Sequence, residues 1–322
     1  NQNQDRMAVH NQIRNIMTLT YKIPIVLFLL LLALPSQAQQ DPQVTHYQYN
    51  TMTVNPAYTG SRVFATVTSL YRDQWAGIDG SPRTMTFGID TPVGKFDGLG
   101  LSIVQDGLGP SEETYIDGNY AHQLILNNRG HRLALGLKAG IRFFSLDWSK
   151  GRFRDEEAVF NQNIEGKILP SVGAGAFFYT DNSYFGVSTP NFLTNQHYDE
   201  IQEAEATEQI HVFIIGGYVF DVNADLKFKP SFFVKHVFGA PVAVDISSNF
   251  LLYEKLNLGV NYRWDESVSG LFSFQISDRF NLGYAYDFNV NELNNYNSGT
   301  HEIFLRYRIL NRLNRLKSPR FF

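Results

Sequence analysis

The chain has no cysteine among its 322 residues, which removes disulfide frameworks, thiolate metal sites and cysteine nucleophiles together. It has little net charge, and a formal balance of -4 argues against nucleic acid as the main partner. Beyond residue 38 no stretch supplies the roughly twenty apolar residues that a membrane-spanning helix needs. The mean hydropathy of -0.22 agrees, so a helical membrane protein is excluded. No Gly-x-Ser-x-Gly elbow is present, which removes the serine-lipase arrangement. The glycine-rich run Gly98-Leu99-Gly100-Leu101-Ser102 is not followed by a helical pattern, so it is no phosphate loop. No catalytic constellation, metal site or cofactor motif emerges.

What the chain does have is alternation. Leu256, Leu258, Val260, Tyr262 and Trp264 fall on one face of an extended segment, with Asn257, Gly259, Asn261 and Arg263 on the other. Successive strand side chains point to opposite sides, so this is an apolar face backed by a strongly polar one. The pattern returns at 280–288, where Leu282, Tyr284 and Tyr286 oppose Asn281, Gly283, Ala285 and Asp287. It returns again at 302–309, where Ile303, Leu305, Tyr307 and Ile309 oppose Glu302, Arg306 and Arg308. Core strands of a soluble sandwich rarely set Arg, Asn and Asp so regularly against aromatics. An oily exterior around a polar interior is the arrangement of an outer-membrane β-barrel. The 25 glycines and 14% aromatics suit its turns, strands and interfacial girdles.

Met17 to Ala38 reads as a secretory signal peptide. Lys22 gives the positive region, 23–34 the apolar run, and Ser36-Gln37-Ala38 the small-x-small cleavage site. The expected organisation is an upstream extension and cleaved signal over 1–38, an N-terminal periplasmic or plug segment over 39–61, the barrel over 62–309 and a basic tail over 310–322. Strands are expected near 62–71, 84–91, 98–106, 113–123, 132–145, 170–180, 183–190, 208–221, 226–237, 243–252, 256–264, 267–277, 280–288 and 299–309. That is about fourteen antiparallel strands, with twelve or sixteen as alternatives. An even count places both ends on one side, which in bacterial barrels is the periplasm. Connections after even-numbered strands are short and several after odd-numbered ones are long, notably 72–83, 146–169, 191–207 and 289–298. Short periplasmic turns and long outer loops produce this asymmetry.

His122, His131, His211 and His301 stand singly, without metal-ligand spacing. Two acidic groups, Asp155, Glu156 and Glu157 in one loop and Glu200, Glu203, Glu205 and Glu208 in or near another, offer oxygen ligands for calcium. They lack the Asp-x-Asp-x-Asp-Gly spacing, and solvated loops are the simpler reading. The tail residues Arg312, Arg315, Lys317 and Arg320 suit an anionic lipid surface, an acidic periplasmic partner or a plain membrane flank. Lys138, Arg142, Asp117, Asn119, Arg263, Asp287, Glu302, Arg306 and Arg308 all take the inward face. Two readings stand for them, a lined channel or a packed network filling a narrow barrel.

Specific motifs lie outside the periodicity. Asn55-Pro56-Ala57-Tyr58-Thr59-Gly60-Ser61 is followed by Tyr71-Arg72-Asp73-Gln74-Trp75 and then by Gly77-Ile78-Asp79-Gly80-Ser81-Pro82-Arg83-Thr84. Further on come Gly98 to Ser102, Asp106-Gly107-Leu108-Gly109-Pro110, Tyr120-Ala121, Leu135-Gly136-Leu137-Lys138-Ala139-Gly140, Tyr284-Ala285-Tyr286-Asp287 and His301-Glu302-Ile303. Together these resemble the PorP/SprF family of Bacteroidota outer-membrane proteins over essentially the whole mature chain. Thr59 and Ile78 stand where Ala and Phe are more usual in that family. The resemblance implies a non-enzymatic outer-membrane component of the type IX secretion system, with roles in adhesin export in gliding members. Implied partners are the periplasmic ring lipoprotein, its associated subunit and secreted adhesin-type cargo, besides the lipids of the membrane. Both a general ring-linked form and a cargo-specific one fit. The rival from another class is an uptake channel for small or hydrophobic solutes.

In the motif region, Asn55-Pro56 and Gly60 let the chain turn, near the periplasmic rim or folded into the lumen, with Tyr58 between them. Tyr71, Arg72, Trp75, Asp79 and Pro82 are the expected contacts for cargo or a partner, or else a mouth plug. Asp79-Gly80-Ser81-Pro82 has the composition of a turn. A competing account pairs Arg72 with Asp73 and uses Trp75 as a girdle anchor.

Overall fold

The computed structural model describes residues 44–151, 163–193 and 209–309. The signal-peptide reading, residues 39–43, both acidic groups and the basic tail lie outside them.

Among the described residues fourteen strands run in chain order. They are β1 (Ala65–Asp73), β2 (Arg83–Val93), β3 (Asp97–Leu108), β4 (Ser111–Ile125), β5 (Arg132–Leu146), β6 (Ile164–Tyr179) and β7 (Ser183–Thr189). Then follow β8 (His211–Tyr218 with Phe220–Asp221), β9 (Leu226–Val237), β10 (Ala243–Leu252), β11 (Leu256–Arg263), β12 (Ser267–Gln275), β13 (Phe280–Asn289) and β14 (Thr300–Ile309). The two pieces of β8 are one strand, because Gly217 faces Ser231 and Phe220 faces Phe228 in unbroken register on β9. Every neighbour pair is antiparallel, and β14 returns to β1 with Ile309 opposite Ala65 and His301 opposite Asp73. The sheet therefore closes and leaves no free edge in the membrane, the condition a spanning β-structure must meet.

Each expected strand exists, most ends fall within about three residues of the expected ones, and three departures have local reasons. β1 starts at Ala65 rather than 62, because Arg62 is tied down by the Tyr58 hydroxyl, the Tyr49 carbonyl and Asp90. β6 starts at Ile164, ahead of the expected 170, and pairs past a bulge with Leu146 of β5. β8 breaks at Val219, whose N–H turns to the Asn182 carbonyl. Turns after even-numbered strands stay tight. Between β10 and β11 three residues turn the chain, and Tyr253 and Glu254 both take positive φ, 53° and 54°, the left-handed backbone of hairpin turns that match strand twist.

Burial alternates residue by residue along the wall, most cleanly in β13. Leu258, Val260, Tyr284, Ile303 and Leu305 are exposed on the outer face. Inside, Asp117, Asn119, Lys138, Arg142, Arg263, Asp287, Glu302 and Arg306 are buried, and Arg308 is half-buried. Lys138 pairs with Asp117 at 2.7 Å, Arg142 with Glu113 at 3.2 Å, and Arg263 with Asp245 at 3.0 Å. The interior is thus a packed network. It is also less polar than the alternation suggests, since Leu70, Phe177, Phe213, Ile215, Phe233 and Phe304 share the inward face and are buried.

Candidate functional site

Residues 44–61 explain the inward apolar side chains, because this segment lies inside the barrel and packs against them. Thr45, His46, Tyr47, Gln48, Tyr49, Asn50, Asn55, Ala57, Tyr58 and Thr59 are all buried. The segment forms hydrogen bonds with β1, β2, β4, β6, β7, β9, β11, β12, β13 and β14. It runs the height of the lumen. Gly60 receives a bond from Gln123 near the short-turn end of β4, whereas Thr45 and His46 reach Asp287 and Glu302 near the long-loop ends of β13 and β14.

The lower part is a fitted backbone. Asn55 begins a single 3-10 turn, Pro56–Tyr58, and its Oδ1 accepts from the Ala57 N–H at 3.0 Å. Its Nδ2 donates to the Ala176 carbonyl on β6 at 3.1 Å, and Ser188 Oγ donates to the Val54 carbonyl at 2.9 Å. The wall opposite is glycine. A Cβ on Gly136 would sit 2.2 Å from the Ala57 nitrogen, one on Gly98 2.2 Å from the Thr59 oxygen, and one on Gly175 2.2 Å from Asn55 Oδ1. Gly60 itself has φ +68°, and a Cβ there would meet Gly98 Cα at 2.4 Å. Only glycine allows backbone to approach backbone this closely.

The upper part is held by side chains. Glu302 accepts from the backbone N–H groups of Thr45 (2.9 Å) and His46 (2.7 Å), and its Oε1 lies 2.6 Å from His46 Nδ1. Arg72 Nη1 lies 2.8 Å from Asp287 and 3.1 Å from Glu302, and donates to Thr45 Oγ1 at 3.0 Å. Tyr49 stacks on Phe304 with ring centroids 4.2 Å apart, and the Arg306 guanidinium lies over the Tyr49 ring at 4.6 Å. The Tyr49 hydroxyl bonds with Ser273 and Asn257. The Tyr47 ring packs against Phe233 with centroids 4.8 Å apart. A cavity beside Tyr49, Met52, Tyr58, Arg62 and Asp90 measures about 10 Å³, room for roughly one water.

The residues expected at the mouth do not come together. Tyr71 faces outward and is exposed, while Arg72, one position on, faces the lumen and is 2% exposed. Arg72 is therefore unavailable to a chain docking at the rim, and it does not pair with Asp73. Asp73 lies on the outer face and pairs with Arg83 at 3.2 Å, because adjacent strand residues point to opposite sides. Trp75 is half-buried, with φ 54°. Its N–H donates to Thr300 Oγ1, and Ala76 exchanges two backbone bonds with the chain before β14, to Gly299 and from Ser298. Asp79 is exposed and Pro82 half-buried on the same rim loop, which Gly109 N–H in the turn between β3 and β4 holds through the Gly80 carbonyl. Asn55, Pro56, Tyr58 and Gly60 gather at the lower end of the lumen segment. Sequence reasoning missed Thr45, His46 and Tyr49. Their signal was a polar, aromatic run with no strand pattern, beside inward aromatics such as Phe304 that needed a partner.

Among the described residues no group of three His, Cys, Asp or Glu side chains stands close enough to hold a metal ion. His122 bonds Asp97 and His301 bonds the Tyr284 hydroxyl, both on the outer face.

A closed antiparallel wall, oily outside and packed with charge and aromatics inside, defines an outer-membrane β-barrel. The chain belongs to the PorP/SprF family: the model for "type IX secretion system membrane protein PorP/SprF" matches residues 36–307. It is thus a membrane component of that secretion system, and membership implies contact with other components of it. No curated protein sequence matches the chain. Solved structures that it is similar to include the Acinetobacter baumannii outer membrane protein Omp33, at 11% identity and TM-score 0.43, covering 76% of this chain and 98% of that one. The CymD monoaromatic hydrocarbon channel is similar at 11% identity and TM-score 0.48, covering 82% and 93%. A Pseudomonas aeruginosa FadL homologue is similar at 13% identity and TM-score 0.46, covering 85% and 96%.

Proposed function

We infer that this barrel works by binding rather than by conduction or catalysis. It supports the export or surface anchoring of large adhesin-type substrates of the type IX system. The observation that carries this reading is the lumen filled by residues 44–61 and bonded to strands all round the wall. A barrel built to pass solutes would spend its interior on a path. This one spends it on packing, which makes a stiff platform with two presentable ends. The short-turn end is the face we assign to the periplasm and to the ring lipoprotein with its associated subunit. The long-loop end is the face we assign to cargo. There the rim loop carrying Trp75, Asp79 and Pro82 is held rigidly by its bonds to Gly299 and Gly109, and a rigid aromatic at such a rim is the residue type that dominates interface energetics.

The test is a clean deletion strain complemented with wild type or with Trp75→Ala, scoring barrel abundance and surface adhesin separately. Loss of surface adhesin in the deletion, with Trp75→Ala restoring the barrel and not the adhesin, is the expected result. Normal adhesin display in the deletion, with every paralogue also removed, ends the proposal.

A further inference from the structure

The outer wall carries a notch that neither the lumen segment nor the secretion role uses. At the long-loop end of β1–β4, Asp73 lies opposite Arg83, Arg83 opposite Gly107, and Gly107 opposite Glu112. One pair lower on the same face stand Ile303, Tyr71, Met85 and Gln105, again side by side. Gly107 is the gap in the upper row. A cavity of about 310 Å³ opens there, lined by Tyr71, Met85, Arg83, Gln105, Glu112 and Lys150 among others. Its floor continues the apolar surface of the wall, where Tyr71, Met85, Phe87 and Ile303 are exposed. Its upper edge is charged.

The charges have capacity to spare. Arg83 uses Nε for Asp73 at 3.2 Å, and its two terminal nitrogens have no partner among the described residues. Lys150 reaches only to 4.0 Å from Asp147. Exposed pairs of this kind hold weakly and exchange partners readily, and a guanidinium fork matches a phosphate. Glu112 already accepts from Gln105 Nε2 at 2.6 Å, and its carboxylate can take a further hydroxyl or ammonium donor.

The geometry points to a binding site for a phosphate-bearing membrane lipid. The phosphate sits between Arg83 and Lys150, the polar remainder of the headgroup meets Glu112, and the acyl chains run down over Met85 and Tyr71. The occupant is an amphiphile rather than a free anion because the floor of the notch is the bilayer-facing wall. A lipid held here fixes the barrel's height and orientation at the level of the rim loop.

Gly107→Leu is the cleanest probe. A Cβ at Gly107 meets nothing nearer than the Ser111 carbonyl at 3.9 Å, so the side chain fills the notch without straining the strand. Arg83→Gln with Lys150→Gln removes the charge on exposed positions and leaves the shape. Purified delipidated barrel is titrated in neutral-detergent micelles with dioleoyl phosphatidic acid, with dioleoylglycerol and with inorganic phosphate, and bound species are counted by native mass spectrometry. Heat-modifiable gel migration reports folding. The expected result is one phosphatidic acid per folded wild-type barrel, weakened roughly tenfold or more in both variants, the scale of losing one charge-assisted hydrogen bond. Dioleoylglycerol and inorganic phosphate are expected to bind far more weakly. Equal retention by folded Gly107→Leu and by the charge variant overturns the site. Inorganic phosphate binding as well as the lipid overturns the lipid assignment.

Discussion

Where residues 55–60 come closest to the barrel, the wall positions are glycines. Where residues 45–49 meet it, the wall presents side chains, the Arg72, Glu302 and Asp287 cluster among them. The lower contact is shape: Ala57, Thr59 and Asn55 sit against Gly136, Gly98 and Gly175 at distances that exclude a Cβ. The upper contact is a buried cluster in which Arg72 faces Asp287 and Glu302, with Thr45 and His46 completing the carboxylate's bonds. Shape contact between backbones has one solution and nothing to titrate. A buried ion cluster gives little net stability when whole but fails badly when one member is removed. The segment is therefore held by a fixed anchor at the short-turn end and by a breakable latch at the long-loop end.

The largest effect is expected from breaking the anchor. Gly136→Val places a branched side chain where the Ala57 backbone lies, and backbone cannot yield as a side chain does. The cost should exceed the roughly 1–3 kcal/mol of ordinary overpacking and should unseat the segment. Hydrogen exchange at 55–61 is the readout, with Gly270→Ala as the control because a Cβ there meets nothing within 4 Å. Unchanged protection in Gly136→Val would mean that the glycine wall is not what positions the segment.

Breaking the latch comes next. Arg72→Met leaves Asp287 and Glu302 buried without their cation, a loss of about 3–5 kcal/mol for a broken buried pair. Exchange should rise at 45–50 while 55–61 stays protected. Loss of protection in both halves together would merge anchor and latch into one unit.

The smallest effect sharpens the boundary between them. Tyr49→Phe removes the hydroxyl's bonds to Ser273 and Asn257 but keeps the stack on Phe304 and the Arg306 contact. The expected cost is about 1 kcal/mol, confined to the upper half. A loss as large as that of Arg72→Met would make the phenol a full member of the latch.

The barrel itself was legible because period-two alternation is local: 256–264 carries its two faces in nine consecutive residues, with no need of a partner. The lumen segment was legible as an irregular stretch with two readings left open, periplasmic or plug, because its partners lie far along the chain, as with His46 and Glu302. The clue was in the exceptions. Phe304 lies between Glu302 and Arg306 on the inward face, and Gly98, Gly136 and Gly175 leave the wall bare where a lumen side chain was expected. Arg72 was misplaced for a related reason. Read beside Tyr71 and Trp75 it looks like part of a mouth cluster, but strand parity sends it inward, and its acid partners come from β13 and β14 rather than from Asp73. The rim loop resists sequence reading because its shape depends on bonds to Gly299 and Gly109, which no local pattern announces.

Anchor and latch together hold residues 44–61 inside the barrel, and the proposed binding role rests on their filling the lumen. Single-channel recording of the purified wild-type barrel in planar bilayers tests it most directly. The expected result is a silent protein, inserted and folded but without steady conductance. A stable ohmic pore from the wild-type barrel would contradict it.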